Sequence, residues 1–239
     1  MSNTPRRRPR STPTEATWNA EYRESQAIPS SDRLQPSRAL TRLLKDISLD
    51  SLTNALDVGC GNGRNAIFLA EQGLDVTAVD FAGAALETAH KNIESHAVAD
   101  RVTLHEADVT SGIPLPDDAV DLVVDSYVSC HFLDEAELEA YFAEVRRVLR
   151  PEGYVYWSAL TPEDEYYRQH QETHPAPQVV VDPLNDVPKR LYTEAELTET
   201  IGNLAGTDIP ISVEVFSVPD VVDGTEYQRS ILAGLLTAR

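Results

Sequence analysis

Asn54-Ala55-Leu56-Asp57-Val58-Gly59-Cys60-Gly61-Asn62-Gly63 is the stretch from which the rest of the chain is read. A short apolar run ends at Asp57, glycines follow at every second position (Gly59, Gly61, Gly63), and a helical pattern begins at Arg64. The order is strand, tight turn, helix N-terminus. Glycine is needed where a turn takes positive φ or where a ligand presses on backbone that lacks a Cβ. A helix start offers unpaired N–H groups and partial positive charge. A nucleotide-type cofactor is expected here, in contact with Gly59, Gly61, Gly63 and Arg64.

The spacing narrows the choice. A dinucleotide fold uses G-x-G-x-x-G and sets pyrophosphate on the helix end. This chain has G-x-G-x-G, with Asp57 just ahead of the first glycine. A carboxylate there suits a ligand carrying an ammonium group and repels a pyrophosphate. A second apolar run, Leu74-Asp75-Val76-Thr77-Ala78-Val79-Asp80, ends in the carboxylate that accepts both ribose hydroxyls in either nucleotide family, about twenty residues on. Its plainer role is to cap the helix expected over residues 83–95.

On these residues, "ALDVGCGNGRNA" resembles motif I of the class I S-adenosylmethionine-dependent methyltransferases. Four further motifs extend the resemblance in order, to around Leu160. It implies that Asp108 accepts from the adenine amine and that Val109 packs on the ring. Phe81 beside Asp80, and Asp125 at the end of the fourth strand, complete the implied cofactor contacts. The turn Arg146 to Gly153 also matches, with Glu152 where the family has a glycine. The implied fold is α/β: a seven-stranded, mostly parallel, doubly wound Rossmann-like sheet with a C-terminal antiparallel hairpin. The implied cofactor is S-adenosyl-L-methionine, and the implied activity is methyl transfer to a small-molecule acceptor. "GCGNGRNAIFLAEQGLDVTAVD" resembles the tellurite-resistance and thiopurine branches, and "HFLDEAEL" the quinone-biosynthesis branch. Two alternatives stand beside this reading. One is a nicotinamide-dependent oxidoreductase, disfavoured by Asp57 and the glycine spacing. The other is a non-catalytic cofactor-binding protein, which binding motifs alone also allow.

The reacting site is expected where strands one and four meet the loops above them, at the switch point of the sheet. Tyr127 and His131 lie just past the fourth strand and are the candidate catalytic residues. His131 serves either as a proton acceptor or as a packed, capping histidine. Cys130 reads as a small buried hydrophobe. Trp18, Tyr22 and Arg23 belong to a helical segment whose W-x-x-x-Y spacing puts both rings on one face. They are read as an acceptor-side lid, or as a helix that buttresses the sheet. Residues 161–192 form a long connection carrying Tyr166, Tyr167, His170 and His174, and are read as a cap over the acceptor. No metal site is expected, because Pro175 interrupts the histidine pair and no cysteine lies near.

Composition sets the outer limits. The 239 residues, 41% of them hydrophobic, suffice for one domain with a buried core. The expected division is a disordered basic tail (1–14), an N-terminal lid segment (15–53), and a methyltransferase domain (54–239) with the cap inside it. The tail carries Arg6, Arg7, Arg8 and Arg10 with no apolar segment after them, so it does not read as an export signal. No apolar run is long enough to span a bilayer, so no membrane association is expected. Two cysteines, Cys60 and Cys130, form no zinc or disulfide pattern, which fits a cytoplasmic setting. A net charge of −19 repels nucleic acid and favours a small-molecule partner. Oligomeric state is left open. Strands are expected over 154–160, 211–218 and 230–236 near the end of the chain.

Overall fold

The computed structural model describes residues 13–25, 33–174, 176–207 and 210–238. The expected tail therefore lies outside the described residues, apart from Pro13 and Thr14. The Thr14 side chain accepts from the Thr17 N–H and caps α1 (Glu15–Ala20), which continues as a π-turn, Glu21–Ser25.

Seven strands form one sheet in the order β3-β2-β1-β4-β5-β9-β8. β1 (Asn54–Val58), β2 (Asp75–Asp80), β3 (Val102–Glu106), β4 (Val120–Ser126) and β5 (Leu149–Leu160) are parallel. The hairpin β8 (Ser212–Val222) and β9 (Thr225–Thr237) adds antiparallel strands beside β5. The strand order reverses between β1 and β4, so the loops beyond these two strands diverge and leave a crevice. A separate two-stranded ribbon, β6 (Val179–Val181) and β7 (Pro188–Arg190), lies inside the expected cap.

Side chains alternate across the sheet and feed two cores. Leu56, Val58, Val123, Val155 and Trp157 face α5 (Glu135–Val148) and α6, residues 194–205. Ala55, Val76, Ala78, Leu122 and Val124 face α2 (Arg38–Leu43), α3 (Arg64–Glu71) and α4 (Gly83–Ser95). Local signals open the helices on schedule. The Asp134 side chain accepts from the Ala136 N–H at the start of α5, and Thr193 and Glu196 form a reciprocal capping box at the start of α6.

Three strands run longer than their apolar patterns imply. β5 begins at Leu149 rather than Tyr154, β8 ends at Val222, and β9 begins at Thr225. In the hairpin, continuous pairing from Ser212↔Leu235 to Val222↔Thr225 carries polar residues that periodicity alone assigns to loops. At the start of β5, Glu152 has φ +62°. A Cβ on neighbouring Gly153 would lie 2.7 Å from Leu149 Cδ1. Left-handed backbone costs a non-glycine residue roughly 1 kcal/mol. Glu152→Gly is therefore expected to raise the unfolding free energy by up to about 1 kcal/mol, read by urea denaturation. An unchanged or lower midpoint would show that Glu152 is not strained.

Candidate active site

The glycine turn after β1 has the backbone its sequence demands. Gly59, Gly61 and Gly63 have φ of +55°, +56° and +82°. A Cβ on Gly59 would meet Val128 Cγ2 at 2.5 Å, and one on Gly61 would meet the Tyr22 hydroxyl at 2.3 Å. Gly63 differs: its Cβ would press on Ala89 of α4 at 3.2 Å, so this glycine serves helix packing and does not line the cleft.

The turn is fastened to β2 by Asp80. One carboxylate oxygen accepts from the Gly61 N–H and the other from the Ala82 N–H, both at 2.9 Å. Burial raises its pKa, and the backbone N–H groups of Ala82, Gly61 and Phe81 work against that rise. Each oxygen keeps a further lone pair for a ligand hydroxyl.

Asp57 is buried at the end of β1, and its Oδ2 has no hydrogen-bond partner among the described residues. Burial pushes its carboxyl up to about 7, with Arg64 pulling the other way. An ammonium group would satisfy that oxygen and restore its charge. Further along the cleft, Phe81, Asp108 and Val109 line one end, and Asp108 also accepts from the Thr110 N–H and hydroxyl. These donors and acceptors fit an adenosine carrying an amino-acid tail.

Asp125 does not line the cleft. It is fully buried and accepts from the Val128 and Ser129 N–H groups and from the Tyr141 hydroxyl. It holds the loop that presents Tyr127 and His131. Tyr127 lines the cleft with φ +67°, and burial raises its pKa. Cys130 is buried in the same loop.

His131 is half-buried, and its Nδ1 lies 3.0 Å from the Pro188 carbonyl oxygen. Nδ1–H therefore donates, leaving the Nε2 lone pair. Burial, then the nearby Lys189 charge, push its pKa down to about 3. His131 is thus a neutral hydrogen-bond acceptor at ordinary pH and a poor proton sink. Trp18 meets it edge to face, with centroids 5.1 Å apart.

The N-terminal segment divides its roles. Trp18 and Tyr22 line the cleft on one helical face as expected, but the Tyr22 hydroxyl reaches the glycine turn rather than the acceptor end. Arg23 is exposed and lines a separate shallow depression. Asn19 Oδ1 accepts from the Ala84 N–H and docks α1 on α4.

The cap brings Tyr166 and Tyr167 into the same cleft of about 1180 Å³. Residues that sequence reading missed accompany them. Lys189 Nζ donates to the Tyr167 hydroxyl at 2.6 Å, and Arg229 Nε to Asp164 Oδ2 at 2.9 Å. Arg33 pairs with Asp220 across the hairpin. The scarcity of lysine was the one available hint, since the chain has only Lys45, Lys91 and Lys189. No group of three or more metal-ligating side chains occurs among the described residues, and none of their helices is long and apolar enough to cross a membrane.

Asp57 yields a stability prediction. Its folded pKa lies above the unfolded value, so the burial penalty grows as pH rises from about 4 and is complete above about 7. Asp57→Asn should stabilise the ligand-free protein by a few kcal/mol, on the order of the shift in cited pKa, above about pH 7. The gain should shrink at lower pH. A destabilised Asp57→Asn at high pH, measured by thermal melts across pH, would contradict this environment.

Residues 55–153 match the methyltransferase domain family. A release factor glutamine methyltransferase of Chlorobaculum tepidum is 37% identical over 44% of this chain and 38% of its own length. A probable S-adenosylmethionine-dependent methyltransferase of Mycolicibacterium smegmatis is 31% identical over 68% of this chain and 55% of its own. The chain thus spans about half or less of these relatives. Among solved structures, the Burkholderia thailandensis 1,6-didemethyltoxoflavin-N1-methyltransferase, with bound 1,6-didemethyltoxoflavin and S-adenosylhomocysteine, superposes with a TM-score of 0.69. It is 19% identical, and the match covers 96% of this chain and 93% of that one. Sheet order, glycine turn and these likenesses agree: the chain has the class I S-adenosylmethionine-dependent methyltransferase fold.

Proposed function

We propose that this protein transfers a methyl group from S-adenosylmethionine to a small-molecule acceptor held beneath the N-terminal segment and the cap, and that it does so in the cytoplasm. The observation that carries the reading is the partnerless, buried Asp57 oxygen beside a glycine turn that leaves no room for a Cβ. A pyrophosphate has no use for such a carboxylate, and a cationic amino-acid tail does. Asp57 and Arg64 would hold that tail, Asp80 the ribose, and Asp108 with Val109 the adenine. A cleft of about 1180 Å³ exceeds what a single drug-sized ligand fills, roughly 300–1,000 Å³, and so has room for donor and acceptor together.

When bound, the cofactor supplies an activated methyl on a sulfonium. The acceptor's lone pair forms the new bond to carbon while the old carbon–sulfur pair returns to sulfur. The chain's own contribution is to place the acceptor and exclude water. Trp18 and Tyr22 close one wall, and Tyr166 and Tyr167 close another. The neutral His131 Nε2 orients an acceptor donor and is not a strong base. The tellurite-resistance, thiopurine and quinone-biosynthesis branches, whose motif sequences this chain resembles, all act on small molecules. A net charge of −19 argues in the same direction and against nucleic acid.

S-adenosylhomocysteine should raise the melting temperature of the protein by mass action, and Asp80→Ala should lose most of that shift. Because Asp57 must be ionised to meet an ammonium, affinity should be full above about pH 7. Below that it should fall up to about tenfold per pH unit, with protons released on binding in the calorimeter. Stabilisation by NADH and none by S-adenosylhomocysteine would overturn the cofactor assignment. Trp18→Ala should lower turnover about tenfold or more, while S-adenosylhomocysteine affinity stays within about twofold; unchanged turnover would reduce Trp18 to packing.

A further inference from the structure

We propose that the acceptor is a planar organic anion, and that Lys189 in the cap is the residue that selects it. This rests on the methyl-transfer reading of the same cleft.

The cleft is electrically polarised along its length. At the cofactor end, Asp80, Glu106 and Asp108 line the cleft against Arg64, with Asp57 buried behind the glycine turn. That excess of negative charge suits a cationic donor. At the cap end, Lys189, Arg190, Arg229 and Arg33 stand against Asp164, Asp182 and Asp220, with Asp220 shared between Arg33 and Arg229. Glu137, on the cleft wall, is already engaged in an interaction of its own. A local excess of positive charge inside a chain of net −19 is not what composition alone would produce. In a cleft with low-dielectric walls, it concentrates anions.

Lys189 is the group best placed to use that field. It is 7% exposed, lines the cleft, and lies 4.7 Å over the Tyr167 ring. Its ammonium has three donors. One goes to the Tyr167 hydroxyl at 2.6 Å and one, at a long 3.4 Å, to Asp182 Oδ2. The third is left for a ligand. Two neighbours are also short of partners among the described residues: the hydroxyl of Tyr166, itself 6% exposed, and Nε of Arg190. Buried donors without acceptors are costly, and a ligand oxygen is a way to satisfy them.

Planarity follows from the walls. Trp18, Tyr127, Phe132, Tyr166 and Tyr167 surround the same space. His131 is hydrogen-bonded to the carbonyl of Pro188, the residue before Lys189, and both His131 and Lys189 line the cleft. A neutral histidine held by its Nδ1–H keeps its Nε2 lone pair to accept from a hydroxyl or N–H of the acceptor, while the acceptor's anionic group meets Lys189.

The test titrates the full-length protein with hydroxybenzoates and with indole- and quinoline-carboxylates, each beside its uncharged amide. Every titration is run by calorimetry with and without saturating S-adenosylhomocysteine. At least one acid is expected to bind about tenfold or more tighter than its amide. Lys189→Met should abolish that preference, Lys189→Arg should keep most of it, and both should leave S-adenosylhomocysteine affinity within about twofold. If Lys189→Met does not fold, the acid-to-amide ratio in the native protein and in Lys189→Arg decides the matter. Equal binding of acids and amides, binding of neither, or a preference that survives in Lys189→Met overturns the proposal. If S-adenosylhomocysteine binds in those cases, methyl transfer still stands. An acid preference without S-adenosylhomocysteine binding would support the anion subsite and overturn the methyl-transfer reading instead.

Discussion

Three carboxylates are buried at the C-terminal ends of neighbouring parallel strands, and the cost of burying them organises the site. Asp125 on β4 is satisfied by backbone N–H groups of the loop that follows its strand, and Asp80 on β2 by one from its own loop and one from the glycine turn after β1. Each thereby pins a loop that lines the cleft: the turn through Tyr127 to His131, and the glycine turn with the start of α4. Asp57 on β1, between them in the sheet, is left with one oxygen unsatisfied. A buried, unpaired carboxylate is tolerated only where something offsets it. On the proposed reading, the cation of the donor's amino-acid tail would supply that offset.

The second organising feature is the way distant segments converge on the crevice at the switch point. The sheet supplies its floor, but no strand supplies its walls. α1 reaches over α4 through Asn19 and brings Trp18 onto His131. The cap ribbon is tied to the β4 loop by the His131–Pro188 bond, and to the C-terminal hairpin by Arg229 and Asp164. Arg33 joins the N-terminal side to the same hairpin at Asp220. Three segments far apart in sequence are thus cross-linked by polar contacts around one space. Such contacts are directional, so they set the shape of the pocket more strictly than apolar packing would.

How much of this was legible in the sequence varies with the range of the interaction. The glycine turn, the caps at Asp134 and Thr193, and the order of strands and helices are local, and their residues announce them. For Asp125 and Gly63 the motif names a position and not a direction. Asp125 is consumed by its own loop, and Gly63 by the close approach of Ala89. Arg23 shared a segment with Trp18 and Tyr22, yet it projects away from the cleft. The strand ends at Leu149, Val222 and Thr225 escaped periodicity, because hydrogen bonding to a neighbour extends a strand through polar residues.

By itself, then, the sequence determined the doubly wound fold, the glycine turn and the carboxylates Asp57 and Asp80 at the strand ends, since each depends on steric and hydrogen-bonding rules that act within a few residues. Only the tertiary structure decided which of the buried acids is satisfied, what the Tyr22 hydroxyl touches, and that Lys189, Arg190 and Arg229 meet across a ribbon and a hairpin. Those outcomes depend on desolvation and on charges brought together from residues 13 to 231 of the chain. Neither quantity exists until the chain has closed around the cleft.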